Sequence, residues 1–141
     1  MRETPKTLAE WNARIPGFFP GELGLRLTRV EADEVTAELE IRPALLAGNG
    51  YLHAGVVVTL ADSCCGYGAL KTLPEGATGF TTINLSSNFL STAREGIVAC
   101  SATPVHLGGA TQVWDAVVSS AGTGRAMAHF RCTQMILRPK G

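Results

Sequence analysis

Residues 53–73, HAGVVVTLADSCCGYGALKTL, decide how the rest of the chain must be arranged. A loop marked by glycines, Ala47-Gly48-Asn49-Gly50-Tyr51, precedes this stretch and Pro74-Glu75-Gly76 closes it, so the pattern predicts one long helix from about Ala54 to Leu73. Apolar side chains fall on nearly every side of that helix, the mark of a buried element and not of a surface one. Its run Val56-Val57-Val58-Thr59-Leu60-Ala61 stops at Asp62, far short of the ~20 apolar residues that cross a bilayer. No membrane partner is expected.

Working outward, Thr7 to Ile15 reads as a short helix with Thr7 as N-cap and Glu10 completing a capping box, and Pro16-Gly17-Phe18-Phe19-Pro20-Gly21 breaks it. Leu23–Val30 and Val35–Ile41 read as strands joined by Glu31-Ala32-Asp33-Glu34; in the second, Val35, Ala37, Leu39 and Ile41 alternate with polar residues. Beyond the long helix come four strand-like stretches, Gly79–Phe89, Ile97–His106, Thr111–Ser119 and Arg125–Leu137. Turns at Gly108-Gly109 and Gly122-Thr123-Gly124 make the last three a meander. The expected architecture is α+β, an antiparallel sheet curled around one central helix. Residues 1–141 make one domain, of which 1–21 is an N-terminal helix and lead-in. One helix cannot cover every strand, and unpaired sheet edges favour association of copies.

Twelve Lys and Arg balance twelve Asp and Glu, with no basic face, so nucleic acid is not an expected partner. The polar start MRETPKTLAEWN lacks the apolar stretch of an export signal, and a cytoplasmic location is the expectation. Cys64, Cys65, Cys100 and Cys132 lack the spacing of a zinc site and read as reduced core residues; no metal is expected. His106 and His129 have no ligand-spaced companions, and Asp115 alternates with Trp114 and faces the other side of its strand.

Asp62 demands an explanation, because a carboxylate within a buried helix costs several kcal/mol unless it is paired or functional. By helical spacing Gly55, Thr59, Asp62, Gly66 and Ala69 share one stripe, small apart from the acid, while Val57, Leu60, Ala61, Cys64 and Tyr67 fill the other side. Such a stripe admits a narrow ligand or another backbone; a structural acid bonded to a loop, or to an Arg across an interface, is the other reading. His53-Ala54-Gly55 opens the same helix, and first-turn N–H groups form a natural site for a carbonyl oxygen gaining negative charge. Ala54 and Asp62 are eight residues apart, about 12 Å along the axis, so one carbonyl cannot touch both. Acting on the same atom requires two copies with antiparallel helices, and hence two sites per homodimer.

These residues carry a resemblance. The segment from His53 to Asp62, HAGVVVTLAD, resembles the H-G-G-x-x-x-x-L-A-[DE] motif of hotdog-fold acyl-CoA thioesterases, the PaaI-like group of 4-hydroxybenzoyl-CoA and phenylacetyl-CoA type. Asn88-Phe89-Leu90-Ser91, Arg94-Glu95-Gly96, His106-Leu107-Gly108 and Val113-Trp114-Asp115-Ala116 are similar to that family's later turns and hairpin, over about residues 22–138. The resemblance implies a hotdog fold and hydrolysis of an aromatic or medium-chain acyl-CoA to free acid and CoA. No metal or redox cofactor is then needed, and CoA enters only as part of the substrate. Asp62 would be the catalytic carboxylate, as general base or as nucleophile. Ala54 N–H would polarise the carbonyl from the other subunit, with His53 shaping the loop. Gly55 and Gly66 would give close approach, and Thr82 would fall near the position where relatives carry a hydroxyl that holds the attacking water.

Three departures stand out. Relatives often carry Asn or Gln where this chain has Ala47, with Asn49 two residues on. HGG is here HAG, and a basic residue after the strand ending at Phe89 is here Ser91, so that Arg94, Lys71 or Arg125 would meet the CoA phosphates. These departures keep a second class open, a non-catalytic acyl-CoA-binding hotdog module. A hydratase on the same scaffold would need an Asp and a His on one substrate. The assembly expected is a homodimer or a dimer of dimers.

Overall fold

The computed structural model describes residues 3–141. Helix α1 (Leu8–Ala13) starts at Thr7, whose hydroxyl accepts the Glu10 N–H at 3.2 Å. Glu10 reaches back one residue further than a capping box requires, accepting the Lys6 N–H at 2.7 Å. Asn12 then ties α1 to strand β1 (Arg26–Val30): its side chain donates to the Leu27 carbonyl and accepts the Leu27 N–H, both at 2.9 Å. The expected break at 16–21 contains a helical turn, α2 (Phe19–Glu22). Pro20 is tolerated there because first-turn N–H groups have no intrahelical acceptor. Gly24, at φ +85°, ends this turn and delays β1 past the expected Leu23.

Strand β2 (Val35–Glu40) follows, then a 3₁₀ turn at Pro43–Leu45, and then helix α3 (Ala54–Lys71), which stops two residues before the expected Leu73. Strands β3 (Gly79–Phe89), β4 (Ile97–Leu107), β5 (Thr111–Ser120) and β6 (Ala126–Leu137) complete the chain, each within a residue of its expected limits. The antiparallel sheet runs β1-β2-β4-β5-β6-β3. The expected meander is present, and β3 crosses to the far edge beside β6.

The sheet curls over α3, whose Leu60, Ala61, Cys64 and Cys65 are wholly buried. The helix cysteines meet strand cysteines, Cys64 with Cys100 and Cys65 with Cys132, and the hydrogen bond to the facing thiol together with burial pushes the Cys64 and Cys65 groups up, away from the reactive thiolate. All four cysteines are free and buried. No described helix is long and apolar enough to cross a membrane.

Two glutamines, Gln112 and Gln134, are fully buried side by side on β5 and β6. Gln112 closes the C-terminal end of α3: its amide donates to the Thr72 carbonyl at 3.2 Å and its oxygen accepts the Trp114 indole N–H at 2.9 Å. The indole so held lies flat on Gly68, where an added Cβ would come within 2.5 Å of the ring. Alanine at 68 gains about 1 kcal/mol of helix propensity. Overpacking a fixed ring costs about 1–3 kcal/mol. Gly68→Ala is therefore expected to lower the unfolding free energy by up to about 2 kcal/mol net, read from urea denaturation.

Candidate active site

Helix α3 positions both halves of the site. At its N-terminus His53 adopts extended backbone and its Nδ1 accepts the Gly55 N–H at 2.8 Å, which makes the imidazole the helix cap. The His53 carbonyl takes the Val56 N–H at 3.0 Å. Ala54 N–H, the remaining donor of these three, has no partner among the described residues. Two backbone bonds pin this entrance: His53 N–H to the Leu45 carbonyl at 3.0 Å and Leu52 N–H to the Ala93 carbonyl at 2.9 Å.

The second bond brings the end of β3 against the helix start. Between them lies a cleft of about 360 Å³ lined chiefly by Asn49, Tyr51, His53, Ala54, Phe89 and Ser91. Ala47 faces the same space. Arg94 stands at its rim, the guanidinium 4.3 Å from the centre of the Tyr51 ring and without a carboxylate partner among the described residues. Tyr51 is the residue that reading the sequence missed. Its signal was adjacency to the His53 motif, but the stacking depends on a loop more than 40 residues away.

Asp62 lies two turns along. The residue is half-buried, yet its Oδ1 is shut off from solvent and has no hydrogen-bond partner among the described residues. Burial raises its carboxyl above the ordinary value of 3.8. The helix is unbroken from Ala54 to Lys71, so within one chain Asp62 and the Ala54 N–H stay about 12 Å apart.

The other expected positions divide. Gly55 is exposed beside the cleft, and Thr59 closes onto its carbonyl at 2.8 Å. Gly66 faces the Phe80 ring, 3.2 Å from where a Cβ would sit. Ala69 is buried and leaves the stripe, because fourteen residues at 100° each turn it about 40° toward the sheet. Tyr67, placed among the core-filling residues, is half-buried and meets Trp11 edge-on at 6.1 Å. Thr82 gives its hydroxyl proton to the Gln134 side-chain oxygen at 2.7 Å, leaving only its lone pairs for a water. Lys71 lines a groove beside α1 at the opposite end of α3 from the cleft. Asp115 faces outward and grips Arg131 through two bonds, at 2.6 and 2.9 Å, which hold its carboxyl below the ordinary range.

Residues 49–127, from the cleft loop to β6, match the family model of the thioesterase superfamily. The chain belongs to the thioesterase superfamily. It is 31% identical over 131 residues to a 1,4-dihydroxy-2-naphthoyl-CoA hydrolase of Escherichia coli, covering 93% of this chain and 95% of that one. A Listeria monocytogenes protein of the same description is 30% identical over 111 residues, covering 79% and 89%. Among solved structures, a thioesterase from Haemophilus influenzae superposes with a TM-score of 0.86 at 26% identity, covering 95% and 92%. The fold of this thioesterase is the hotdog, and its chemistry is hydrolysis of a thioester.

The raised carboxyl has a thermodynamic consequence. Folded thioesterase holds the Asp62 proton more firmly than the unfolded chain, so this group favours folding in acid and opposes it as pH rises from 3.8 through the raised value. Asp62→Asn is expected to be more stable than the parent at pH 7 by about 0.5–2 kcal/mol. The gain should shrink as pH falls toward 3.8, as followed by urea denaturation across a pH series.

Proposed function

We propose that this thioesterase hydrolyses an acyl-CoA carrying an aromatic or medium-chain acyl group. In this reading two copies build each site, Asp62 coming from one and the Ala54 N–H from the other. One observation carries it: a carboxylate oxygen removed from water, with no partner among the described residues, on the half-buried side of α3. A group so placed and held above its ordinary value is a stronger base or nucleophile than a solvated carboxylate.

The chemistry follows from the parts. As general base, Asp62 takes a proton from water as the oxygen attacks the thioester carbon; as nucleophile, it attacks directly and water then cleaves the anhydride. In both routes negative charge grows on the carbonyl oxygen, which Ala54 N–H and the positive end of α3 stabilise. The C–S bond then breaks: in the first route the proton held by Asp62 passes to the departing sulfur, and in the second CoA leaves as the thiolate and takes its proton from water. His53 serves the oxyanion indirectly, because its cap holds the first turn in place. Gly55 lets the thioester pass close to the backbone, and Arg94 on Tyr51 offers a cation at the cleft rim for the anionic part of CoA. Tyr51 and Phe89 suit a flat acyl group, in keeping with the naphthoyl-CoA hydrolase descriptions of the two relatives.

A homodimer supplies what one copy lacks. Strand β3 is an eleven-residue edge whose outer side pairs with no strand of its own chain. Leu85 and Phe89, which alternate toward the helix side, are 43% and 50% exposed, while Ser87 Oγ between them is buried with no partner among the described residues. A second copy docked along β3 would cover these side chains and pair the edge.

Complementation tests the shared site. Asp62→Asn should lower kcat by about 10²-fold or more. Ala54→Pro removes the one N–H at issue where proline is tolerated at a helix start, and should cost about 10²–10³-fold. His53 already has the extended backbone, φ −64° and ψ 133°, that a following proline requires. Refolded together in equal amounts, the two inactive variants should recover about a quarter of parental activity, because half the dimers are mixed and each mixed dimer has one intact site. Recovery no greater than the sum of the separate variants would refute the two-copy site.

A further inference from the structure

We infer that Gln134 is a positioning residue for the hydrolytic water: by taking the proton of the Thr82 hydroxyl, it leaves Thr82 able only to accept from a water beside Asp62. The inference rests on the proposal that Asp62 carries the hydrolysis, and deepens it. Strand β3 and helix α3 place Thr82 alongside the acid. At one end of the strand Phe89 lines the cleft with Ala54, and near the other the Phe80 ring faces Gly66. The strand therefore runs back along the helix, and Thr82, two residues past Phe80, falls beside the turn before Gly66, the one that carries Asp62. Ile83 is an extra residue in the ladder, so Thr82 opposite Gln134 and Leu85 opposite Cys132, three apart, both face α3. A chain of contacts runs beneath them. The Asp62 charge reaches Cys65, whose thiol bonds Cys132, and Gln134 Nε2 lies 3.5 Å from Cys132 Sγ.

Gln134 is fully buried, and its Oε1 accepts the Thr82 hydroxyl proton at 2.7 Å. An amide oxygen has no proton to give, so the hydroxyl commits its own there and keeps only lone pairs. The consequence is directional. A hydroxyl free to turn can donate to a water and tie up the lone pair that has to attack; one held by Gln134 cannot. A water between Thr82 and Asp62 gives one proton to the carboxylate, rests the other on Thr82 Oγ1 and keeps a lone pair for the thioester carbon. Gln134 touches neither water nor substrate in this scheme and acts only through Thr82.

A double-mutant cycle tests that dependence. Thr82→Val removes the acceptor at nearly constant shape, while Gln134→Leu and Gln134→Met each take away the amide oxygen at similar size. With benzoyl-CoA as substrate, each of the three should lower kcat about tenfold, KM moving much less and thermal unfolding staying within a few degrees. Thr82→Ser, which keeps the hydroxyl, should stay within about threefold of the parent. Combined with Thr82→Val, either Gln134 variant should cost nothing further, because the group it orients is already gone; a merely structural glutamine would add its own loss. If both Gln134 variants or Thr82→Val keep kcat within about twofold, or if the two losses multiply, the inference is overturned. Asp62→Asn assayed in parallel separates the two ideas: an inactive Asp62→Asn beside active Gln134 and Thr82 variants defeats the positioning alone. Retained turnover in Asp62→Asn defeats the reading beneath it, and the positioning with it.

Discussion

The arrangement of this thioesterase depends on keeping one carboxylate oxygen dry. Taking an ionised group out of water costs several kcal/mol, and a chain of this size holds only about 5–15 kcal/mol in reserve. Asp62 can be afforded because the rest of α3 is made of side chains that bury without complication, with Leu60, Ala61, Cys64 and Cys65 all at zero exposure. No described residue pairs Asp62 Oδ1, and burial raises its carboxyl. Asp115, by contrast, has Arg131 beside it on the outer face.

The same helix has to be core and catalytic support together, and its composition shows how both are met. Small residues let neighbours come close: Gly68 receives the Trp114 ring and Gly66 faces Phe80. The two cysteines turn toward cysteines of β4 and β6, where soft, weakly polar groups fill space without demanding strong hydrogen bonds. At the C-terminal end Gln112 answers the Thr72 carbonyl, and at the N-terminal end His53 answers the Gly55 N–H. Each end is thereby held, and the spacing between Ala54 and Asp62 becomes rigid.

Much of this was readable in advance, for definite reasons. Strands β3 to β6 and helix α3 are bounded by glycine and proline, whose backbone restrictions act locally, so their limits could be placed closely. Asp62 stood out because one charge among apolar helix positions is a local contradiction. What escaped reading depends on distant parts of the chain. That β3 lies beside β6 is set by a pairing some fifty residues apart, as Thr82 and Gln134 illustrate. The α2 turn was hidden because Pro20 and Gly21 read as breakers in isolation, although proline is harmless in a first turn. Ala69 was misplaced by ideal spacing carried too far along a helix whose apolar stripe drifts. The orientation of the Asn49 amide depends on where the Tyr51 N–H points, which no residue pattern records.

A rigid helix also acts as a ruler, and this constrains any mechanism more strongly than residue identities do. With Ala54 and Asp62 about 12 Å apart on one unbroken helix, no local rearrangement brings them to the same atom. Either only one of them meets the thioester carbonyl, or the second comes from another copy. Asp62 without a nearby oxyanion donor would generate charge with nothing to hold it, and the cleft without Asp62 would polarise a carbonyl with no base at hand. The proposed antiparallel pairing of two helices would resolve both shortages by a single rotation, placing each Asp62 opposite the other chain's Ala54. The half-buried flank of α3 around Asp62 and the unpaired edge of β3 would give such a pairing its room.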